Sequence, residues 1–141
     1  MDKTKVLFLC VHNSARSQMA EAYLKKFGED RFMVASAGLE PGKLNPLAVE
    51  VMKEEGIDIS GHPTKSVFDL LKQGESFTYV ITVCDAKNSA RCPIFPGMHK
   101  KMSWNFADPS AFTGTHKEKL AQTRAVRDEI KKAVKRFAEE A

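Results

Sequence analysis

Apolar residues along this chain fall into two patterns, short unbroken runs and a stagger of three to four residues. Residues 5–10, Lys5-Val6-Leu7-Phe8-Leu9-Cys10, form an unbroken run that predicts a strand buried on both faces. Over residues 17–27 the stagger takes over, with Met19, Ala20, Tyr23, Leu24 and Phe27 on one side, and Gly28 stops the predicted helix. Residues 32–37 predict a second strand ended by Gly38. Asn45-Pro46 predicts a helix start, Asn as cap and Pro in the first turn, running through Val49, Val51 and Met52 to Gly56. A short helix is expected over residues 66–72. Residues 77–83, rich in aromatic and β-branched side chains, predict a strand that delivers Cys84. Asn88, Pro93, Pro96 and Gly97 make residues 85–97 a loop, and residues 99–104 predict a last strand. Thr115 with Glu118 carries the capping-box signal and opens a long helix with Leu120, Val126, Ile130, Val134 and Phe137 on one face.

Strands that alternate with helices imply an α/β fold: a single three-layer domain over residues 1–141, a four-stranded parallel sheet with helices on both faces. In such sheets ligands gather at the carboxyl ends of the strands, where Cys10 and Cys84 are expected.

Composition narrows the function classes. The chain has 141 residues, 43% hydrophobic and 28% charged, as in ordinary soluble domains. No apolar run approaches the roughly 18 residues that a membrane span requires. Residues 1–5 lead into too short an apolar stretch for a signal peptide, so a cytoplasmic location and no membrane partner are expected. Three cysteines in a reducing compartment point to catalysis or metal binding before structural disulfides. The net charge of +4 has much of its excess in Lys117, Lys119, Lys131, Lys132, Lys135 and Arg136, interspersed with Glu and Asp. That reads as a solvated helix face, and no motif argues for nucleic acid.

Chemistry concentrates where the first strand ends. Cys10 is followed by Val11-His12-Asn13-Ser14-Ala15, then Arg16 and Ser17, where the helix begins. Backbone N–H groups of such a loop and the positive end of the helix form a cup for a tetrahedral oxyanion such as arsenate, phosphate or sulfate. The Arg16 guanidinium can hold two anion oxygens at once, and Ser17 can bond the sulfur. A helix N-terminus and a nearby Arg both favour thiolate over thiol, which makes Cys10 the candidate nucleophile. Cys84 and Cys92 are either redox partners of Cys10 or metal ligands with His99, although intervals of seven and six residues fit no zinc knuckle. Asp108-Pro109 is a turn dipeptide in its own right.

Cys10-x5-Arg16-Ser17 after a first strand, with Asn13 in the loop, resembles the low-molecular-weight protein tyrosine phosphatases. The continuation Ser17-Gln18-Met19-Ala20-Glu21-Ala22, with Ser36-Ala37-Gly38, Asn45-Pro46 and Asp58-Ile59-Ser60-Gly61-His62, is similar to the thioredoxin-coupled arsenate reductases over nearly the whole chain. The resemblance implies that Asp108 is the general acid and that arsenate is reduced to arsenite through a Cys10 thiol–arsenate adduct. It further implies a Cys10/Cys84/Cys92 disulfide relay, no cofactor, an external thiol reductant with thioredoxin as electron donor, and a monomer. Four departures stand out. His12 replaces a Gly of the phosphatases and raises the question of a positive φ there. Ser110 and Ala111 stand where phosphatases carry aromatics, which suits a small inorganic anion. Seven residues separate Cys84 from Cys92 where six is commoner. Relatives with a potassium site use residues matching Asn13, Glu21, Ser36 and an Asp near position 65, where this chain has Lys65, whose ammonium would replace the cation. Two other functions remain open: a phosphomonoester hydrolase with the same cup, and a metal- or metalloid-binding sensor.

Overall fold

The computed structural model describes residues 3–28, 30–83 and 100–141. Strand β1 (Thr4–Cys10) lies inside the sheet, with β2 (Phe32–Gly38) on one side and β3 (Tyr79–Thr82) on the other; β4 (Lys100–Ser103) completes the order β2-β1-β3-β4. All three pairings are parallel, with Cys10 opposite Gly38 and Leu9 opposite Thr82. A strand flanked on both sides buries both faces, which is why residues 6–10 are apolar without a break. Val6, Phe8 and Cys10 enter one core, and Leu7 and Leu9 the other.

Helix α1 (Arg16–Gly28), α2 (Pro46–Lys53) and α4 (His116–Glu140) contribute to the larger core, and α3 (Val67–Lys72) with Phe77 and Val80 to the smaller one. The caps at Asn45 and Thr115 form as expected: the Asn45 side chain accepts from Leu47 N–H, and Thr115 and Glu118 close a complete capping box; Ser66 adds a third, its side chain accepting from Phe68 N–H. Val126, Ile130, Val134 and Phe137 of α4 are buried as their stagger predicts, and Phe137 packs against Trp104, Tyr79 and Phe32 at centroid separations of 5.2–6.1 Å. Each such aromatic pair adds about 0.5–1.5 kcal/mol beyond the area it buries.

Two boundaries differ from expectation. Helix α2 ends at Lys53, and residues 54–56 turn off it with Gly56 at φ 75° while Ile57 N–H bonds back to Met52 O. The glycine thus closes the helix from beyond its end. Strand β3 starts at Tyr79; Thr78 N–H reaches Lys5 O, but Phe77 already turns into the smaller core. Residues 84–99, with Cys84, Cys92, His99 and the expected loop, lie outside the described residues.

Candidate active site

Strand β1 feeds Cys10 directly into the loop that opens α1, and hydrogen bonding fixes which way that loop faces. The carbonyls of Cys10, Val11, His12 and Ser14 accept from the N–H groups of Leu39, Glu40, Gly42 and Asn45 at 2.7–3.1 Å. Asn13 O accepts from the Gln18 side chain, and Ala15 O from Met19 N–H. With its carbonyls turned outward, the loop presents N–H groups inward, joined by the unpaired N–H groups of the first turn of α1.

Cys10 is buried, and its sulfur receives Asn13 N–H at 3.1 Å. Ser17 Oγ lies 2.9 Å from the sulfur and itself accepts from Asn13 Nδ2 at 2.8 Å. With one of its two lone pairs engaged by that amide, the Ser17 hydroxyl can still turn its hydrogen to the sulfur, beside the Asn13 N–H.

Asn13 holds the bend with φ 53° and is the non-glycine residue with positive φ among those described. The question of a positive φ raised at His12 is thereby answered: His12 sits in ordinary geometry, and the left-handed residue is its neighbour Asn13. An Asn side chain satisfies the left-handed conformation locally, and here its Oδ1 takes Lys65 N–H at 3.0 Å and Gln18 Nε2 at 3.1 Å. Gly38 is needed for close approach. A Cβ there would lie 2.8 Å from both Asn13 N and Val11 O, so the end of β2 supports the loop from beneath.

Arg16 is buried, with Nη1 donating to Phe106 O at 3.2 Å and Nη2 3.5 Å from Asp108 Oδ2. Asp108 caps a short 3-10 turn, Pro109–Ala111, and its Oδ1 accepts from Ser110 N–H and the Ser110 hydroxyl at 3.0 and 2.8 Å. Burial pushes the Asp108 carboxyl up, but the two Ser110 hydrogen bonds and the charges of Arg16 and His12 outweigh it, leaving the group below its ordinary range. His12 sits exposed at the rim, its Nδ1 2.8 Å from Glu40 O.

The residues matching the potassium ligands also meet. Glu21 Oε1 accepts from the buried Ser36 hydroxyl, Glu21 Oε2 pairs with Lys25 Nζ at 2.6 Å, and Lys65 Nζ lies 4.0 Å from Oε1. Among the described residues no cluster of three or more His, Cys, Asp or Glu is placed to hold a metal.

Sequence reasoning brought forward Cys10, Arg16, Ser17 and Asp108, and the structure gathers them around one cup. It missed the supports: Gln18 behind Asn13, the Phe106 carbonyl on Arg16, Ser110 on Asp108 and Gly38 under the loop. Only Ser110 carried a local signal, since Asp-x-Ser is an Asx-turn pattern. His116, without an assigned partner in sequence, pairs with Glu50 at 3.1 Å.

The model of the low molecular weight phosphotyrosine protein phosphatases matches residues 5–141. The chain belongs to this family. An arsenate reductase of Bacillus licheniformis is 45% identical over 141 residues, covering 99% of this chain and 98% of that one. A solved arsenate reductase in the oxidized state superposes with a TM-score of 0.82 at 30% identity, covering 97% and 98% of the two chains. Another in the phosphate binding state gives 0.80 at the same identity and coverage. At the start of α1 the chain thus places a buried thiol, a buried guanidinium and, 3.5 Å from that guanidinium, a carboxylate.

Proposed function

We propose that this protein reduces arsenate to arsenite, using Cys10 as nucleophile, Asp108 as acid and Cys84 and Cys92 as a thiol relay. The observation that carries the reading is full-length similarity to arsenate reductases in a chain whose Cys10 sulfur is held by Asn13 N–H and Ser17 Oγ inside an N–H-lined cup. Arg16 and the loop N–H groups bind the oxyanion. The Cys10 thiolate attacks arsenic, and an arsenic-bound oxygen leaves as water after taking the Asp108 proton. In the empty site Asp108 is ionised. A bound anion shares Arg16 and adds negative charge beside the carboxyl, and both effects push it toward the acid form.

Reduction takes two electrons, and they come from two thiols. Cys84 attacks the Cys10 sulfur, the S–As electron pair stays on arsenic, and arsenite leaves with a Cys10–Cys84 disulfide behind it. Cys92 then attacks Cys84, expelling the Cys10 thiolate and moving the disulfide to Cys84–Cys92. An external dithiol, thioredoxin in this reading, reduces that bond. Val83, the residue before Cys84, donates its N–H to Leu9 O at 2.8 Å, next to Cys10 in β1, which supports Cys84 as the first partner. Near Glu21, Lys65 supplies the charge that a potassium ion would bring.

A second reading, phosphomonoester hydrolysis, is favoured by the family itself and by a cup that needs one thiolate. One experiment separates the two. After a single arsenate turnover without reductant, mass spectrometry should find a Cys84–Cys92 disulfide, and Cys84→Ser should block multiple turnover. Three free thiols and undiminished p-nitrophenyl phosphate hydrolysis by Cys84→Ser would assign a phosphatase.

A further inference from the structure

The two edges of the sheet are treated differently. Strand β4 carries Lys100 and Lys101 in its own sequence, a common device against pairing with another chain, whereas β2 has neither a charge nor a proline. Alternate residues of a parallel strand serve opposite neighbours. Thr4 N–H donates to Arg31 O at 3.0 Å, so Arg31, Met33 and Ala35 turn their backbone groups toward β1. Gly38 N–H leaves the sheet on the other side, to Lys65 O at 2.8 Å, and Gly38 forms a parallel bridge with Ser66. Phe32 and Val34 share the parity of Gly38, and their N–H and carbonyl groups make no hydrogen bond among the described residues. The edge is thus paired at its end near the cup and open over residues 32–35.

A groove of about 860 Å³ runs along that open stretch. Ile57, with Lys25 and Lys26 of α1, lines it on the larger-core face of the sheet, and Leu70 and Phe77 line it on the smaller-core face. Met33 stands in it 54% exposed. Backbone for a floor and apolar side chains on both flanks are what an added strand needs, because its own side chains alternate between the two faces. The rim is basic: Lys3, Lys5, Lys25 and Lys26 against Asp58 and Glu75. Glu75 matches Lys5 at 2.8 Å and Glu21 matches Lys25 at 2.6 Å, whereas Lys3 and Lys26 pair with no carboxylate among the described residues. A second copy of this chain would bring the same surplus of lysines to the contact. An acidic partner would offset it.

We propose that the open edge of β2 is a docking site for an extended, acidic segment of a partner protein, which adds to the sheet as a fifth strand beside residues 32–35. Its backbone bonds the N–H and carbonyl groups of Phe32 and Val34, its apolar side chains cover Met33, Ile57 and Phe77, and its carboxylates meet Lys3 and Lys26. The site lies at the end of β2 remote from Gly38, so docking leaves the cup open and does not depend on which reaction the cup performs.

The probe is a terminally blocked, fluorescently labelled peptide of alternating character, Glu-Val-Glu-Ile-Glu-Val-Glu, titrated with the full chain and followed by anisotropy. We expect saturable one-to-one binding that weakens by roughly tenfold in Lys3→Glu/Lys26→Glu. Val34→Pro should abolish binding while leaving the circular dichroism spectrum and sulfate affinity unchanged, since the proline removes an N–H that serves no ladder bond. Independently of any variant, hydrogen exchange at the Phe32 and Val34 amides should slow by about tenfold or more at saturating peptide. Absence of binding would overturn the proposal. So would equal affinity for Lys-Val-Lys-Ile-Lys-Val-Lys, or binding that leaves exchange at both amides unchanged. A dimer in sedimentation velocity that Val34→Pro dissolves would assign the edge to a second copy and overturn it as well.

Discussion

Asp108 has one carboxylate oxygen committed to Ser110 and the other facing Arg16 at 3.5 Å. Those contacts favour the ionised form; in the proposed mechanism a bound anion shares Arg16 and adds negative charge beside the carboxyl, and both effects push it toward the acid form. Asp108→Asn keeps the Ser110 contact through its side-chain oxygen but cannot give up a proton. We expect single-turnover formation of the Cys10 adduct to slow by about 10²-fold or more. Sulfate affinity should hold or improve, because a negative charge leaves the mouth. An equal loss in both measurements would assign Asp108 to positioning Arg16. At this scale the sequence was informative about side chains that react and nearly silent about those that hold them. A reactive residue is recognised by type and spacing, whereas Gln18 and Ser110 matter through partners that only folding brings within reach.

Elements meet at the cup, and their ends matter more than their middles. Strand β1 carries Cys10, α1 supplies the N–H groups, and residues 39–45 bind the outward carbonyls of the loop. Gly38 is where β2 passes beneath, with no room for a methyl group against Asn13 N and Val11 O. Because both neighbours are backbone atoms, Gly38→Ala must displace the loop itself. The strand pairing should survive, giving an unchanged circular dichroism spectrum, while kcat/KM for arsenate falls by about 10²-fold from a misplacement of under an ångström. Unchanged kinetics would mean that the loop shifts without cost. Element types and order were legible from periodicity. The ends of α2 and β3 were not, because Gly56 and Phe77 are set by a helix-closing turn and by the smaller core.

Across the whole molecule, α4 packs on α1 and α2 and is tied to the turn after α2. Glu54 accepts from Arg124 and Arg127, and Glu55 from Lys131 and the buried Tyr23 hydroxyl. The Arg124 hydrogen bonds pull Glu54 below its ordinary 4.5, Lys131 does the same for Glu55, and Ser60 lowers Asp58. Burial pushes the Tyr23 hydroxyl up, with Glu55 adding to it. Carboxyls that are lower in the folded state than in the unfolded chain contribute stability that is present above the unfolded value and lost as pH falls through the folded one. The urea midpoint should therefore vary little on account of these groups between neutral pH and about 4.5 and decline below it. Glu54→Gln should make that decline shallower. An identical acid limb in the variant would show that the pairs are too exposed to matter.

What the sequence determined by itself was local: the apolar run of β1, the stagger of α1 and α4, the helix caps at Asn45 and Thr115, and a thiol, a guanidinium and a carboxylate of suitable kinds. Each depends on neighbours within a few positions, where spacing dictates geometry. The tertiary structure decided which way the Cys10 loop faces, that Asn13 and not His12 takes the left-handed bend, and that Phe106, Ser110, Gln18 and Gly38 complete the site. Those outcomes join residues up to 90 positions apart. They follow from satisfying buried polar groups and excluding overlap in three dimensions, which no local pattern encodes.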